Sequence, residues 1–134
     1  MKIYCCKCKM HIEARLTNGK EVYPHRDDLH ALPFWKCDIC GNFVGCHYKT
    51  ENKTRPLGNI PFPALKKARM EIHKILDPIW QSGKLKRCDL YNLISTRLSM
   101  QEGYQYHTAM LPTIEDARKV YRIILDIRKK IGYN

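Results

Sequence analysis

Long apolar stretches are missing from this sequence. No segment approaches the roughly 18 uncharged apolar residues a membrane-crossing helix needs, and residues 1–10 lack the apolar stretch of a secretory signal, so a soluble cytoplasmic protein without a membrane partner is expected. Acidic residues are scarce as well. Thirteen Asp plus Glu face 24 Lys plus Arg, a formal charge of +11 with His neutral, which favours anionic partners. Also absent are a phosphate-cradling glycine loop, well-spaced paired carboxylates and a nucleophile set beside a base. The expectation is therefore a protein that is not an enzyme and has no small-molecule substrate. Low-complexity runs are lacking too. At 134 residues, 44% hydrophobic and 28% charged, the chain has the composition of a folded protein, long enough for one compact domain or two small modules.

What is present is a particular arrangement of cysteine. Seven is too few for a disulfide scaffold, and an odd number without an export signal points to thiolates. Cys5 and Cys8 form one C-x2-C pair and Cys37 and Cys40 another, with 28 residues between the pairs. Each pair can sit on one tight turn and bind from one side. Two such turns supply a tetrahedron of sulfurs at about 2.3 Å from a Zn2+ ion. Gly41, directly after the second pair, suits a turn that needs positive φ. Lys9 stands in the matching place of the first pair, so that turn is expected to be built differently. Lys7 and Lys9 would offset the charge of about −2 that four thiolates leave around the ion.

The chain between the pairs must return to its start. Ile12, Ala14 and Leu16 alternate with polar residues, Asn18-Gly19 reads as a two-residue hairpin turn, and Val22-Tyr23 begins a return strand, which together predict a zinc ribbon. Cys6, next to a ligand, and Cys46, before His47, are alternative ligands in principle, but free cysteine commonly serves as a small buried hydrophobe. His25, Asp27, Asp28 and His30 read as a polar turn rather than a hydrolytic metal centre.

After the cysteine-rich residues 1–50, residues 51–62 read as a connector stiffened by Pro56 and Pro61 with Pro63 just beyond, and residues 63–134 read as helical. Leu65, Ala68, Ile72, Ile75 or Leu76, and Ile79 recur at helical spacing over 63–81, with Pro78 expected to kink or end the helix near Asp77. A second helix over 86–100 presents Leu90, Leu93, Ile94 and Leu98. A third follows the N-cap Thr113 and carries the stripe Ala117, Val120, Tyr121, Ile124, Ile127 and Ile131 up to Gly132. The expected class is α+β: a four-cysteine zinc ribbon packed on a bundle of about three helices, forming one compact unit.

Several segments are familiar: Tyr23-Pro24, Leu32-Pro33-Phe34-Trp35-Lys36-Cys37, Cys40-Gly41, Val44-Gly45-Cys46-His47, Pro56-Leu57-Gly58, Leu65, Ala68-Arg69, His73, Asp77-Pro78 and Trp80. Together they resemble a small family of zinc-finger-containing proteins found mostly in bacteriophages and prophages. The likeness covers about residues 5–100 and is most specific over 23–80; Tyr106-His107-Thr108 match only loosely, and His107 receives no role. The resemblance implies zinc on Cys5, Cys8, Cys37 and Cys40 and a setting inside a bacterial host cell, and it implies no particular activity.

The positive charge is shared between the two parts, with 10 basic against 6 acidic residues up to position 62 and 14 against 7 beyond it. Lys66, Lys67, Arg69 and Lys74 lie off the apolar stripe of the first long helix, and Arg118, Lys119, Arg122, Arg128, Lys129 and Lys130 lie mainly off that of the last. With Lys7, Lys9 and Lys36 at the cysteine turns, the candidate contacts to DNA or RNA are Lys7, Lys9, Lys36, Lys66, Lys67, Arg118, Arg122 and Lys129. Tyr4, Phe34, Trp35, Phe43 and Tyr48 lie among the lysines of the ribbon and could stack bases, although Phe34 and Trp35 are expected to pack inward, against Trp80 or other helix residues. The leading reading is nucleic-acid binding. The alternative is a phage-encoded interaction module, an inhibitor or adaptor of a host protein.

Overall fold

The computed structural model describes residues 1–101 and 104–133, and the chain divides into two compact units, Met1–Pro63 and Ala64–Asn134. The class is mixed α and β, with small antiparallel sheets and the cysteine turns near the N-terminus and the long helices beyond them.

In the first unit, β1 (Lys2–Cys5) and β2 (Met10–Glu13) pair antiparallel with Ile3 opposite Ile12, both buried. Beyond Ala14 the chain changes sheets. β3 (Arg15–Asn18) pairs with β4 (Pro33–Lys36), which pairs with β5 (Phe43–Gly45). Alternation therefore holds only in part: Ile12 and Ala14 face the core, but Leu16 is exposed. The core gathers Ile3, Cys5, Ile12, Ala14, Cys37, Val44 and Ile60.

The expected hairpin at Asn18-Gly19 is not formed, and Val22-Tyr23 is not a strand. Asn18 is extended and its Oδ1 accepts the Glu21 N–H at 3.2 Å, capping the short turn α1 (Gly19–Val22). The return strand is β4, reached through a 3-10 turn at Asp27–Leu29. Gly19 serves close approach here rather than positive φ: a Cβ at this position would lie 1.7 Å from the Leu29 carbonyl oxygen. Residues 51–62, expected as a connector, are hydrogen-bonded into this unit. Ile60 N–H donates to Tyr4 O at 2.8 Å, Cys6 N–H to Ile60 O at 2.9 Å, and Leu57 N–H to Gly45 O at 2.9 Å.

Among the described residues the second unit holds three long helices. α2 (Pro63–Gln81) buries Leu65, Ile72, Leu76 and Ile79 completely. It runs through Pro78 instead of stopping near Asp77. In the final turn a proline forfeits one backbone bond, and the Pro78 carbonyl still accepts Ser82 N–H at 2.9 Å. Arg69, expected on the solvent face, is buried, and its Nη2 donates to Leu111 O at 2.8 Å. α3 (Arg87–Arg97) is shorter than expected because Ser99 adopts φ 55° and Met100 N–H closes back on Ser95 O at 3.1 Å. Its buried face is turned as well. Leu93 is exposed, and Tyr91 takes its place beside the fully buried Tyr106, with 5.6 Å between ring centroids. α4 (Ile114–Lys130) follows the expected pattern: Thr113 Oγ1 accepts Asp116 N–H at 3.1 Å, and Ala117, Val120, Ile124 and Ile127 are buried.

Candidate metal centre

The two cysteine turns are formed in the same way. After β1, the Lys9 N–H donates to Cys5 O at 2.8 Å; after β4, the Gly41 N–H donates to Cys37 O at 2.7 Å. Lys9 has φ 58° and Gly41 φ 83°, so Lys9 adopts the left-handed conformation that was expected to require glycine. This corrects the expectation of a differently built first turn. The lysine bears the strain of that conformation, because its Cβ meets the backbone where glycine has none. Lys9→Gly should therefore stabilise the metal-loaded protein by about 0.5–1 kcal/mol, a rise in melting temperature of a few degrees. An unchanged or lower melting temperature would contradict this.

Because β1 and β4 deliver the two turns to one place, the sulfurs of Cys5, Cys8, Cys37 and Cys40 all lie within 4.8 Å of one another. Cys5 Sγ is 3.5 Å from Cys40 Sγ, and Cys8 Sγ is 3.8 Å from Cys37 Sγ. Four sulfurs at about 2.3 Å from a common tetrahedral centre would stand about 3.8 Å apart. The donor set fits the ion. Among the described residues, no other three His, Cys, Asp or Glu side chains form such a cluster.

Without a cation the packing of the sulfurs opposes ionisation at Cys8 and Cys40. Partial burial, together with hydrogen bonds that the Cys8 S–H donates to the sulfurs of Cys5, Cys37 and Cys40, pushes the Cys8 thiol up to about 12. Burial acts against ionisation at Cys37 also, but the Cys40 and Ile39 N–H groups directed at its sulfur outweigh it and hold that thiol below its ordinary value. A divalent ion replaces the missing protons and removes the repulsion.

Around the second turn lies an ion-pair lattice that sequence reasoning missed. Arg15 on β3 sends Nε and Nη2 to Asp38 at 2.8 and 2.9 Å, and Nη1 and Nη2 to Glu21 at 3.0 and 2.8 Å. Asp38 lies inside the turn, between Cys37 and Cys40. The Arg15 guanidinium holds both carboxyls below the usual carboxylate range, aided at Glu21 by Lys36 and Thr17. Such planar, two-pronged pairing fixes geometry better than single ion pairs do. The only sequence signal was an acid within the turn and a base on a neighbouring strand.

Cys6 and Cys46 stay outside the cluster, both buried, with the Cys6 thiol 3.4 Å from Asn59 Oδ1. His47 is half-buried and His107 exposed. His25, Asp27, Asp28 and His30 form no metal group: Asp28 pairs with Arg26 at 2.8 Å and His30 Nε2 lies 3.0 Å from Pro24 O. Of the candidate cations, Lys7, Lys9, Lys67, Arg118, Arg122 and Lys129 are exposed and Lys66 is half-buried, whereas the Lys36 ammonium is held by Glu21 at 2.8 Å.

The sequence matches the family model of a zinc-finger-containing domain, DUF3268, over residues 1–127. The chain belongs to this family. The family and the four-sulfur cluster together support zinc binding. No curated protein and no solved structure matches the chain. Among the described residues, no helix is long and apolar enough to cross a membrane.

Proposed function

We propose that this is a non-enzymatic zinc protein that binds DNA or RNA through exposed cations. Four thiolates at tetrahedral spacing are the donor set of a structural zinc site, closed to substrate, so the metal holds the fold and does no chemistry. The observation that carries the nucleic-acid reading is the outer line of α4. Arg118, Arg122 and Lys129 are exposed, and at about 100° per residue they fall within roughly 40° of one another, opposite the buried stripe. Successive cations lie about 6 and 10 Å apart along the helix. Among the described residues no carboxylate lies within ion-pair distance of any of the three, whereas Lys130 shares Asp126 with Arg97. A line of uncompensated cations follows a phosphate backbone and binds it with steep salt dependence. The bacterial, phage-type setting belongs to the same proposal and rests on the family resemblance.

Binding to DNA and RNA of arbitrary sequence should be measurable at about 50 mM salt and should fall linearly on a log–log plot as salt rises. Replacing Arg122 and Lys129 together by glutamate should lower the slope by about two, with no loss of folding, since neither residue faces the core. Absence of binding to any nucleic acid at that salt overturns the reading. It would leave the basic line to an acidic protein partner, as an inhibitor or adaptor of a host protein would use it.

A further inference from the structure

We infer that the outer face of the β1–β2 hairpin is a stacking platform for single-stranded nucleic acid, with Tyr4 and His11 receiving a base and Lys2, Lys7 and Lys9 receiving the flanking phosphates. The inference rests on the nucleic-acid reading above and names a polymer and a surface for it.

The aromatic residues of the first unit differ in their surroundings: Tyr48 is exposed, with the Lys49 ammonium 5.8 Å from its ring centroid, whereas most of the others pack into the fold. Tyr23, Phe34 and Phe43 meet one another edge to face at centroid distances of 5.1–5.8 Å, and Phe34 is buried. Trp35 packs against the core, with its indole N–H donating to Thr54 O at 2.6 Å. These four rings serve the fold. Tyr4 and His11 differ. They are cross-strand partners on the face opposite the buried pair Ile3 and Ile12, with His11 exposed, Tyr4 half-buried and their rings 5.3 Å apart at 68°. An edge-to-face pair leaves ring surface open for a further π-system.

Charge surrounds this pair unevenly. Lys2 lies two residues from Tyr4, about 7 Å along the strand. At the other end the first cysteine turn presents Lys7 and Lys9, both exposed, with Lys9 two residues before His11. Among the described residues no carboxylate lies within ion-pair distance of these three lysines, and the nearby Glu13 is engaged by the N-terminal ammonium at 3.0 Å. The metal turn fixes where Lys7 and Lys9 stand. Rings flanked by uncompensated lysines are the pattern that recognises an unpaired strand, because in a duplex the base faces are stacked on each other and inaccessible.

The test uses the full zinc-loaded chain and fluorescence anisotropy. The probes are an oligothymidylate of about 15 nucleotides and a duplex of the same length, at about 50 mM salt. The single strand should bind more tightly than the duplex. Tyr4→Leu should weaken single-strand binding about tenfold and change duplex binding less than twofold, while Tyr4→Phe, which keeps the ring, retains it. His11→Ala, at an exposed position, should weaken single-strand binding severalfold and carries the test if Tyr4→Leu fails to fold. Equal affinity for both probes, or unchanged single-strand affinity in the folded variants, overturns the platform and leaves the nucleic-acid reading standing. Binding to neither probe overturns both.

Discussion

Stripping zinc from the protein, or replacing Cys37 by serine, should unfold Met1–Pro63 and leave the long helices of the second unit in place. Cys5 and Cys37 are both metal ligands in the proposed site and fully buried members of the first unit's core. Beside them the cluster holds Ile3, Ile12, Ala14, Val44 and Ile60 with Trp35 packed against it, a small apolar mass for a chain segment of this length. A structural zinc contributes about 10–16 kcal/mol of apparent binding free energy, all of it available only to the folded state. The two units also report separately. Helices of 19, 11 and 17 residues lie almost wholly in the second, so far-ultraviolet circular dichroism follows that unit. Trp35 lies in the first and Trp80 in the second. In a Trp80→Phe background, chelation should shift Trp35 emission to the red while most helical signal persists. Unchanged Trp35 emission after complete metal removal would show that the ion is not structural.

How much of this could be read from the residues depended on whether a feature was local. The paired C-x2-C spacing is local, and it identified the four sulfurs that the fold gathers. The N-cap at Thr113 and the stripe of α4 are local too, and the helix follows them closely. Failures came where tertiary contacts decide. Leu93 has the right spacing for the buried face of α3, yet Tyr91 is taken inward because Tyr106, whose N–H donates to the Ser95 hydroxyl of α3 at 2.8 Å, meets the helix on that side. The Arg69 spacing suggested solvent, and the Leu111 carbonyl draws it in. Lys9 shows the converse. Its residue type argued against a left-handed turn, but a turn that must place two sulfurs imposes its own backbone, and the local cost is small beside metal binding. The Arg15 lattice was hidden for a further reason: its partners lie 6 and 23 residues away and meet only once β3 and β4 pair.

Gly19→Ala should destabilise the first unit by about 3 kcal/mol or more, the upper end for overpacking, because the added carbon meets backbone rather than a movable side chain. The Gly19 N–H donates to Leu32 O at 2.9 Å and its carbonyl accepts Tyr23 N–H at 2.7 Å, so the residue is fixed from both sides. A Cβ there would stand 1.7 Å from Leu29 O and 2.4 Å from Leu29 C, and relief requires shifting the segment that leads into β4 and hence to Cys37. For a unit of this size, such a loss lowers the melting temperature by roughly 12–24 °C. Gly41→Ala provides the contrast. A Cβ at position 41 would meet nothing within 4 Å, and only the φ of 83° opposes it, so the cost should be about 1 kcal/mol. A third substitution separates the two accounts of position 19. In a hairpin turn asparagine is well tolerated at positive φ, whereas at a point of backbone contact Gly19→Asn is as damaging as Gly19→Ala. Thermal melting of the three zinc-loaded variants should therefore rank Gly41→Ala well above an equally impaired Gly19 pair; a near-native Gly19→Asn would restore the hairpin reading of Asn18-Gly19.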